Sequence, residues 1–332
     1  MEFNKAIKNA PGCIQPLVSR VVPYVGPILS QPKQQPDGLV AGSLDLVTML
    51  LKNAPGPVIK ALYDVCFNPI IQIVLQSDDH SEMQNATECL AAFVCGGKNE
   101  LLAWGGDPGF TMRSLLDALS RLLDPVLESS GSFFVGNYIL QLILNLPSQM
   151  EQHIQDLVSA LVRRMQSCEI SGLKNSLLLV FARLVHMSVP NVSHFIDMLV
   201  SIPGYGDRNS FDYVMSEWVK QQGEVQGSYQ IKVTTSALAL LLSSRHEELT
   251  KNFVQGHLVQ VLFVSVVSIT RYRYGGDVLT TGFGIHFLGT ARWARSTAGI
   301  RTRSKAKSTP EQWTVMPLNA KVLSLSHVLP VS

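Results

Sequence analysis

Apolar residues fall at helical spacing along most of this chain, and the stripes they form come in pairs. The run from Asp37 sets Val40, Leu44, Val47 and Leu51 on one helix face before Asn53-Ala54-Pro55-Gly56 stops it. Pro57 opens a second run carrying Val58, Leu62, Val65 and Cys66, and Pro69 is expected to kink it before Ile70, Ile73 and Val74. The next pair places Met83, Ala86, Leu90 and Phe93 ahead of Gly96-Gly97. Its second helix lays Met112, Leu115, Leu116, Leu119 and Leu122 ahead of Asp124-Pro125. Three further pairs are predicted over about 131–145 and 149–165, 171–187 and 191–202, and 210–222 and 228–244. No alternating strand pattern precedes residue 257.

The first helices of these pairs start near residues 38, 81, 131, 171 and 210, at intervals of 43, 50, 40 and 39 residues. Tetratricopeptide and ankyrin units recur at about 33–34 residues, and HEAT or armadillo units at about 40–47. The spacing therefore predicts an all-α, HEAT/armadillo-type helical repeat solenoid over residues 37–257, against the alternative of a single irregular helical domain. A helix pair cannot bury its own apolar stripe, so it stacks on its neighbours and leaves long surfaces for partners. Residues 1–36 read as a partial repeat, in which Cys13, Ile14, Leu17, Val18, Val21 and Val22 are apolar. Prolines at 11, 16, 23 and 27 predict a short or bent helix there.

Charge divides the chain in two. Residues 1–257 carry 18 Lys+Arg against 23 Asp+Glu, while residues 258–332 carry 9 against 2. The acidic body suits basic partners and argues against direct nucleic-acid binding. Character changes at about Leu258: the stretch 258–295, with Arg271-Tyr272-Arg273-Tyr274-Gly275-Gly276, lacks helical periodicity and reads as an atypical, disordered insertion. Residues 296–332 read as a basic loop followed by a truncated helix. Of the five cysteines, Cys66, Cys89 and Cys95 lie among apolar residues and read as buried free thiols, which fits a reducing compartment. The run Leu258–Ile269 falls short of the ~18 apolar residues a membrane span needs, so no membrane insertion is expected. No signal peptide is apparent, and the sequons at Asn85 and Asn191 read as chance matches.

The motifs of enzymes are missing. There is no GxxxxGK[ST], HExxH or GxSxG, and the eight His residues are dispersed. No catalytic, cofactor-binding or metal-binding residue is assigned. Two features suit partner binding instead. Asp78, Asp79 and Glu82 could attract a basic partner or could simply be solvated helix-terminal acids. Trp104 could anchor a partner, although a ring closing the core between two helices is the plainer reading. The run Arg301, Arg303, Lys305 and Lys307 resembles a localisation patch in composition and reads as a solvated basic loop.

Several segments carry a family resemblance. Pro11-Gly12-Cys13-Ile14-Gln15-Pro16-Leu17, Leu46–Pro55, Cys89–Val94 and Thr297–Trp313 resemble the carboxy-terminal half of importin-β family nuclear transport receptors, of the importin-nine branch. The resemblance spans most of residues 10–257 and resumes near Ser296. It implies a HEAT superhelix that binds protein cargo, histones or ribosomal proteins among them, and moves it through the nuclear pore under control of the GTPase Ran. It also implies contact with nuclear pore proteins, shuttling between cytoplasm and nucleus, and no cofactor. The repeats that bind Ran lie in the family's amino-terminal half, which this chain does not resemble. The alternative from the repeat pattern is a HEAT scaffold subunit that organises a complex without transport.

Overall fold

A computed structural model describes residues 11–252 apart from Pro108 and residues 205–208. The readings for 258–295 and 296–332, Arg301, Arg303, Lys305 and Lys307 included, lie outside these residues. Every regular element among the described residues is a helix: α1 (Ile14–Ser30), α2 (Leu39–Leu51), α3 (Gly56–Gln76), α4 (His80–Gly97), α5 (Phe110–Leu122), α6 (Val135–Asn145), α7 (Pro147–Met150), α8 (Ile154–Ser167), α9 (Ser171–Met187), α10 (Val192–Ser201), α11 (Ser210–Gln221), α12 (Ser228–Ser243) and α13 (Glu247–Asn252). The first helices of successive pairs start at residues 39, 80, 135, 171 and 210. These starts are farther apart than the ~34 residues of a tetratricopeptide unit, and the fold is the HEAT-type all-α repeat. The chain divides into two units, residues 1–184 with 194–221, and residues 185–193 with 222–332.

In the first unit each early helix packs on the helix two places along. Helices α1, α3 and α5 form one layer and α2, α4 and α6 the other, with α4 also laid along α3. The predicted stripes supply the contacts: Val40, Leu44, Val47 and Leu51 from α2, and Met83, Ala86, Leu90 and Phe93 from α4, are all buried. Each fully buried Leu or Phe contributes about 1.5–3 kcal/mol relative to exposure. Because α4 touches three helices, its buried surface includes the small Ala86, Cys89, Ala91 and Ala92, which let its neighbours come close. On α5, Leu115, Ala118, Leu119 and Leu122 carry the contact while Met112 and Leu116 are half-buried.

The prolines do not end the helices that contain them. Helix α1 runs 17 residues with Pro23 and Pro27 inside it, and α3 runs 21 residues with Pro69 inside it. A helical proline removes one hydrogen bond and frees the carbonyl four residues back. The carbonyl freed by Pro69 belongs to Val65, which is 38% exposed, and Pro16, Pro23 and Pro27 are themselves exposed. Water can satisfy what the prolines leave open, so the helices continue. Val65, expected in the core, instead lies opposite Gly26, where an added Cβ would stand 2.7 Å from its Cγ1. Cys95 is likewise exposed, because it falls on the opposite face of α4 from Leu90 and Phe93. Cys66, Cys89 and Cys168 are buried free thiols, and burial pushes the Cys66 thiol up to about 12. Helix α3 is long and apolar enough to cross a membrane, although its sequence holds no unbroken apolar run. More than half of its apolar window is buried inside the protein, against α1, α4 and α5.

The loop from α5 to α6 is organised by a charge that sequence reading does not single out. Arg164 of α8 is fully buried. Its guanidinium donates to the Glu128 carbonyl at 3.3 Å, to Ser132 Oγ at 3.1 Å and to Ser167 Oγ at 3.2 Å. Ser132 in turn donates to the Leu122 carbonyl at 2.7 Å. No carboxylate pairs with Arg164 among the described residues, and burial lowers its pKa.

Farther along the first unit, α6 and α9 approach closely. A Cβ on Gly136 would meet Ser176 Oγ at 2.7 Å and the Ser176 carbonyl oxygen at 2.8 Å. Helix α9 meets α11 through Glu217, which accepts from Lys174 at 3.2 Å and from Lys220 at 2.7 Å. Burial alone would raise the Glu217 pKa, but the hydrogen bonds from Lys220 and Lys174 outweigh it and hold the group below 4.5. In the second unit, His186 in the last turn of α9 reaches the Val233 carbonyl and Ser236 Oγ of α12, each at 3.1 Å. There Gln222 also bonds Thr234 and Thr235.

Two measurements follow from this packing. Gly136→Ala has a backbone oxygen in its way, so it should lower unfolding stability by about 1–3 kcal/mol in denaturant titrations; an unchanged midpoint would refute the close approach. Glu217 has a depressed folded pKa, so its contribution is complete above the unfolded value and is lost as pH falls below about 4.5. Thermal melts of wild type and Glu217→Gln should therefore differ at pH 7 and converge in acid.

Candidate protein-binding surface

An open cleft of about 600 Å³ lies in the first unit, between the end of α1, the second half of α3 and the start of α4. That volume falls within the range of ligand-binding clefts. Leu29, Pro32, Pro69 and Ile73 supply apolar lining, and Asn68, Gln72 and Gln76 stand along it at one-turn intervals on α3. Asp78, Asp79 and Glu82 also line it, together with one cation, Lys33. The cleft thus gathers three of the sequence-predicted contacts. The last residues of α1 and α3, Ser30 and Gln76, line it too, and neither helix has a basic residue in its last turn. Helix C-termini carry partial negative charge, which adds to that of the three carboxylates.

The three acids do different work. Asp79 caps α4, its Oδ1 accepting from the Glu82 N–H at 2.9 Å. Ser77 Oγ donates to the Glu82 carboxylate at 2.7 Å and accepts from the Asp79 N–H at 3.1 Å. Glu82 is thereby fixed from both sides. Asp78 is exposed and makes no ion pair among the described residues. Beside this corner, His80 reaches the Glu128 carboxylate at 3.3 Å and Ser130 Oγ at 2.9 Å, joining α4 to the loop that Arg164 holds.

Trp104 does not line the cleft. It is half-buried and stands edge-on to Tyr63, ring centroids 5.6 Å apart. Tyr63 stacks on Phe67 at 4.4 Å and meets Phe93 at 6.3 Å, and its hydroxyl lies 2.6 Å from Thr111 Oγ1. A Cβ on Gly97 would lie 3.1 Å from the Trp104 ring. This indole closes the seam between α3, α4 and the turn after α4. Asn85 of the first sequon is likewise tied down, donating to the Ala41 carbonyl at 2.9 Å. Among the described residues, no group of three His, Cys, Asp or Glu side chains could hold a metal ion. Sequence reading misses the amide side chains and Ser77; the polar spacing at 68, 72 and 76 on an otherwise apolar helix is the available signal.

The helical array matches a known family of repeat proteins. Residues 12–280 match the family described as importin-11-like, TPR repeats. The chain belongs to the importin-β family of nuclear transport receptors. Importin-9 of Drosophila melanogaster is 24% identical over 239 residues, covering 71% of this chain and 23% of that protein. Importin subunit beta-5 of Saccharomyces cerevisiae is 21% identical over 284 residues, covering 85% and 24%, respectively. The Schizosaccharomyces pombe protein of the same name is 24% identical over 237 residues, covering 70% and 23%. The chain thus spans about a quarter of the length of the relatives it matches. The family match runs on to residue 280, into the stretch that composition set apart from 258.

Asp78 and Asp79 are both exposed, but only Asp79 caps α4, and stability measurements can tell them apart. Asp79→Ala should cost about 1 kcal/mol through the lost cap. Asp78→Asn should leave the unfolding midpoint within error; equal losses for the two would contradict the capping geometry.

Proposed function

We propose that this chain is the part of a nuclear import receptor that holds protein cargo by non-covalent binding, without catalysis. The observation that carries this reading is the acid-lined cleft within an importin-family repeat. Three carboxylates and two helix C-termini against one lysine favour a cation-rich partner, in keeping with the excess of 23 Asp+Glu over 18 Lys+Arg in residues 1–257. The cargo class is basic protein, of which histones and ribosomal proteins are examples. Transport is Ran-dependent and passes through the nuclear pore, so the complete receptor shuttles between cytoplasm and nucleus. Ran acts through repeats of the longer receptor.

The test is a titration of the full chain with a purified core histone dimer at several salt concentrations. Binding should weaken steeply between about 0.05 and 0.3 M salt, where screening shortens the reach of exposed charges. Asp78→Asn should weaken it several-fold at low salt with unchanged thermal stability. Salt-independent binding, or a neutral protein of similar size binding equally well, would overturn the basic-cargo reading. Ran-GTP added to the full-length receptor should release the cargo; in a scaffold it would change nothing.

A further inference from the structure

Between α3 and α9, the links that carry one helix pair into the next differ in length. Residues 77–79 join α3 to α4 and residues 168–170 join α8 to α9, three residues each, whereas twelve residues, 123–134, join α5 to α6. A three-residue link leaves its pairs little freedom, and a twelve-residue link leaves slack. That slack is taken up by contacts on every residue from 128 to 132. On the α4 side, the Glu128 carboxylate lies 3.3 Å from His80 Nε2, and Ser130 Oγ lies 2.9 Å from His80 Nδ1. Gln84 Nε2 donates to the Ser130 carbonyl at 2.8 Å. Gly131 sits against the same helix start, where a Cβ would stand 3.1 Å from Met83 Sδ. On the α8 side, Arg164 donates to the Glu128 carbonyl at 3.3 Å and to Ser132 Oγ at 3.1 Å. Just past α8, the Glu169 N–H reaches Ser129 Oγ at 3.4 Å.

The two grips are unequal. Arg164 is fully buried, so parting from it strands a charge away from water. The α4 grip is open to solvent: the His80 and Glu128 side chains are 37% and 71% exposed, and Gln84 is half-buried. Water can replace those partners, and so open an ion pair adds little. We propose that the α5–α6 junction is a latched hinge. Residues 128–132 hold the third helix pair, α6 to α8, against α4, and the latch opens by parting from His80, Met83 and Gln84 while staying on Arg164. The packing of α6 on α4 is the pivot, and the twelve-residue link supplies the travel. This goes beyond the cargo reading and does not rest on it. The opening contacts share the start of α4 with Glu82 and the Asp79 cap, so a partner held at the acidic corner bears on the turn that carries the latch.

The experiment is hydrogen–deuterium exchange of the full chain, read by mass spectrometry in wild type and in the double variant His80→Ala, Gln84→Ala. In the variant, peptides covering residues 127–134 and the first turn of α6 should exchange at least about five-fold faster. Peptides covering residues 163–167, at the end of α8, should stay within about two-fold, because the loop remains on the buried arginine. Lys60→Ala, which removes an exposed ion pair on α3, should change none of them. Peptides in α2 report the stability of the whole unit. Unchanged exchange at 127–134 would overturn the latch, and a freed loop with an unchanged α6 turn would overturn the hinge. A rise at the end of α8 equal to that of the loop would overturn the unequal grip. Equal acceleration everywhere, α2 included, would also overturn the proposal, since the variant would then be loosening the fold rather than one junction.

Discussion

Much of the first unit depends on the enclosure of α4 by α2, α3 and α6. A helix with neighbours on three sides cannot be amphipathic in the ordinary sense, because little of its circumference reaches water. The solution in this chain is a helix built from small residues as much as large ones. Ala86, Cys89, Ala91 and Ala92 share the buried surface with Met83, Leu90 and Phe93. Interaxial distance scales with side-chain size, so the alanines set how closely consecutive repeats can sit. The same helix carries the acidic corner at its amino end. Asp79 caps it, and Ser77 and Glu82 interlock around the cap. The position of the cleft's charges is therefore inherited from the most enclosed element of the unit.

The arrangement also separates holding from recognising. The aromatic cluster of Tyr63, Phe67, Phe93 and Trp104 lies toward the first half of α3, and the amide and acidic lining of the cleft lies along its second half. One helix thus packs against the aromatic cluster along its first half and keeps Asn68, Gln72 and Gln76 exposed on one face of its otherwise buried second half. Its 21 residues look like a membrane span by hydropathy, yet Asn68, Gln72 and Gln76 interrupt the apolar character on one side only. That one-sided interruption is what a repeat protein needs: a buried stripe for its neighbours and a polar stripe for a partner.

Helix stripes such as Val40, Leu44, Val47 and Leu51 are legible in the sequence because 3.6-residue periodicity is a local property. The prolines are less legible, because sequence shows the lost hydrogen bond and not whether the helix continues past it. At Pro69 the helix continues to Gln76, and Val65, four residues back, is exposed. Cys95 has apolar neighbours in sequence, yet its place on the helix circumference decides its exposure. The acidic residues of the cleft can be named from their clustering, whereas Leu29, Lys33 and Gln72 cannot be joined to them. They come from separate helices that only stacking brings together. Arg164 is invisible for the same reason, since its partners lie 32 and 36 residues away.

That arginine has a bearing on cooperativity. A guanidinium can leave water at tolerable cost only when its acceptors are already in place, and here they are Ser167 on its own helix end and the 128–132 stretch of the preceding loop. Docking of α8 and closure of the loop must therefore occur together. Neither can fray while the other stays folded without stranding a buried charge or its acceptors. In a linear array, where each repeat would otherwise melt nearly on its own, this contact raises the coupling between two neighbours. It makes them unfold as one block and keeps partially open states of that stretch scarce.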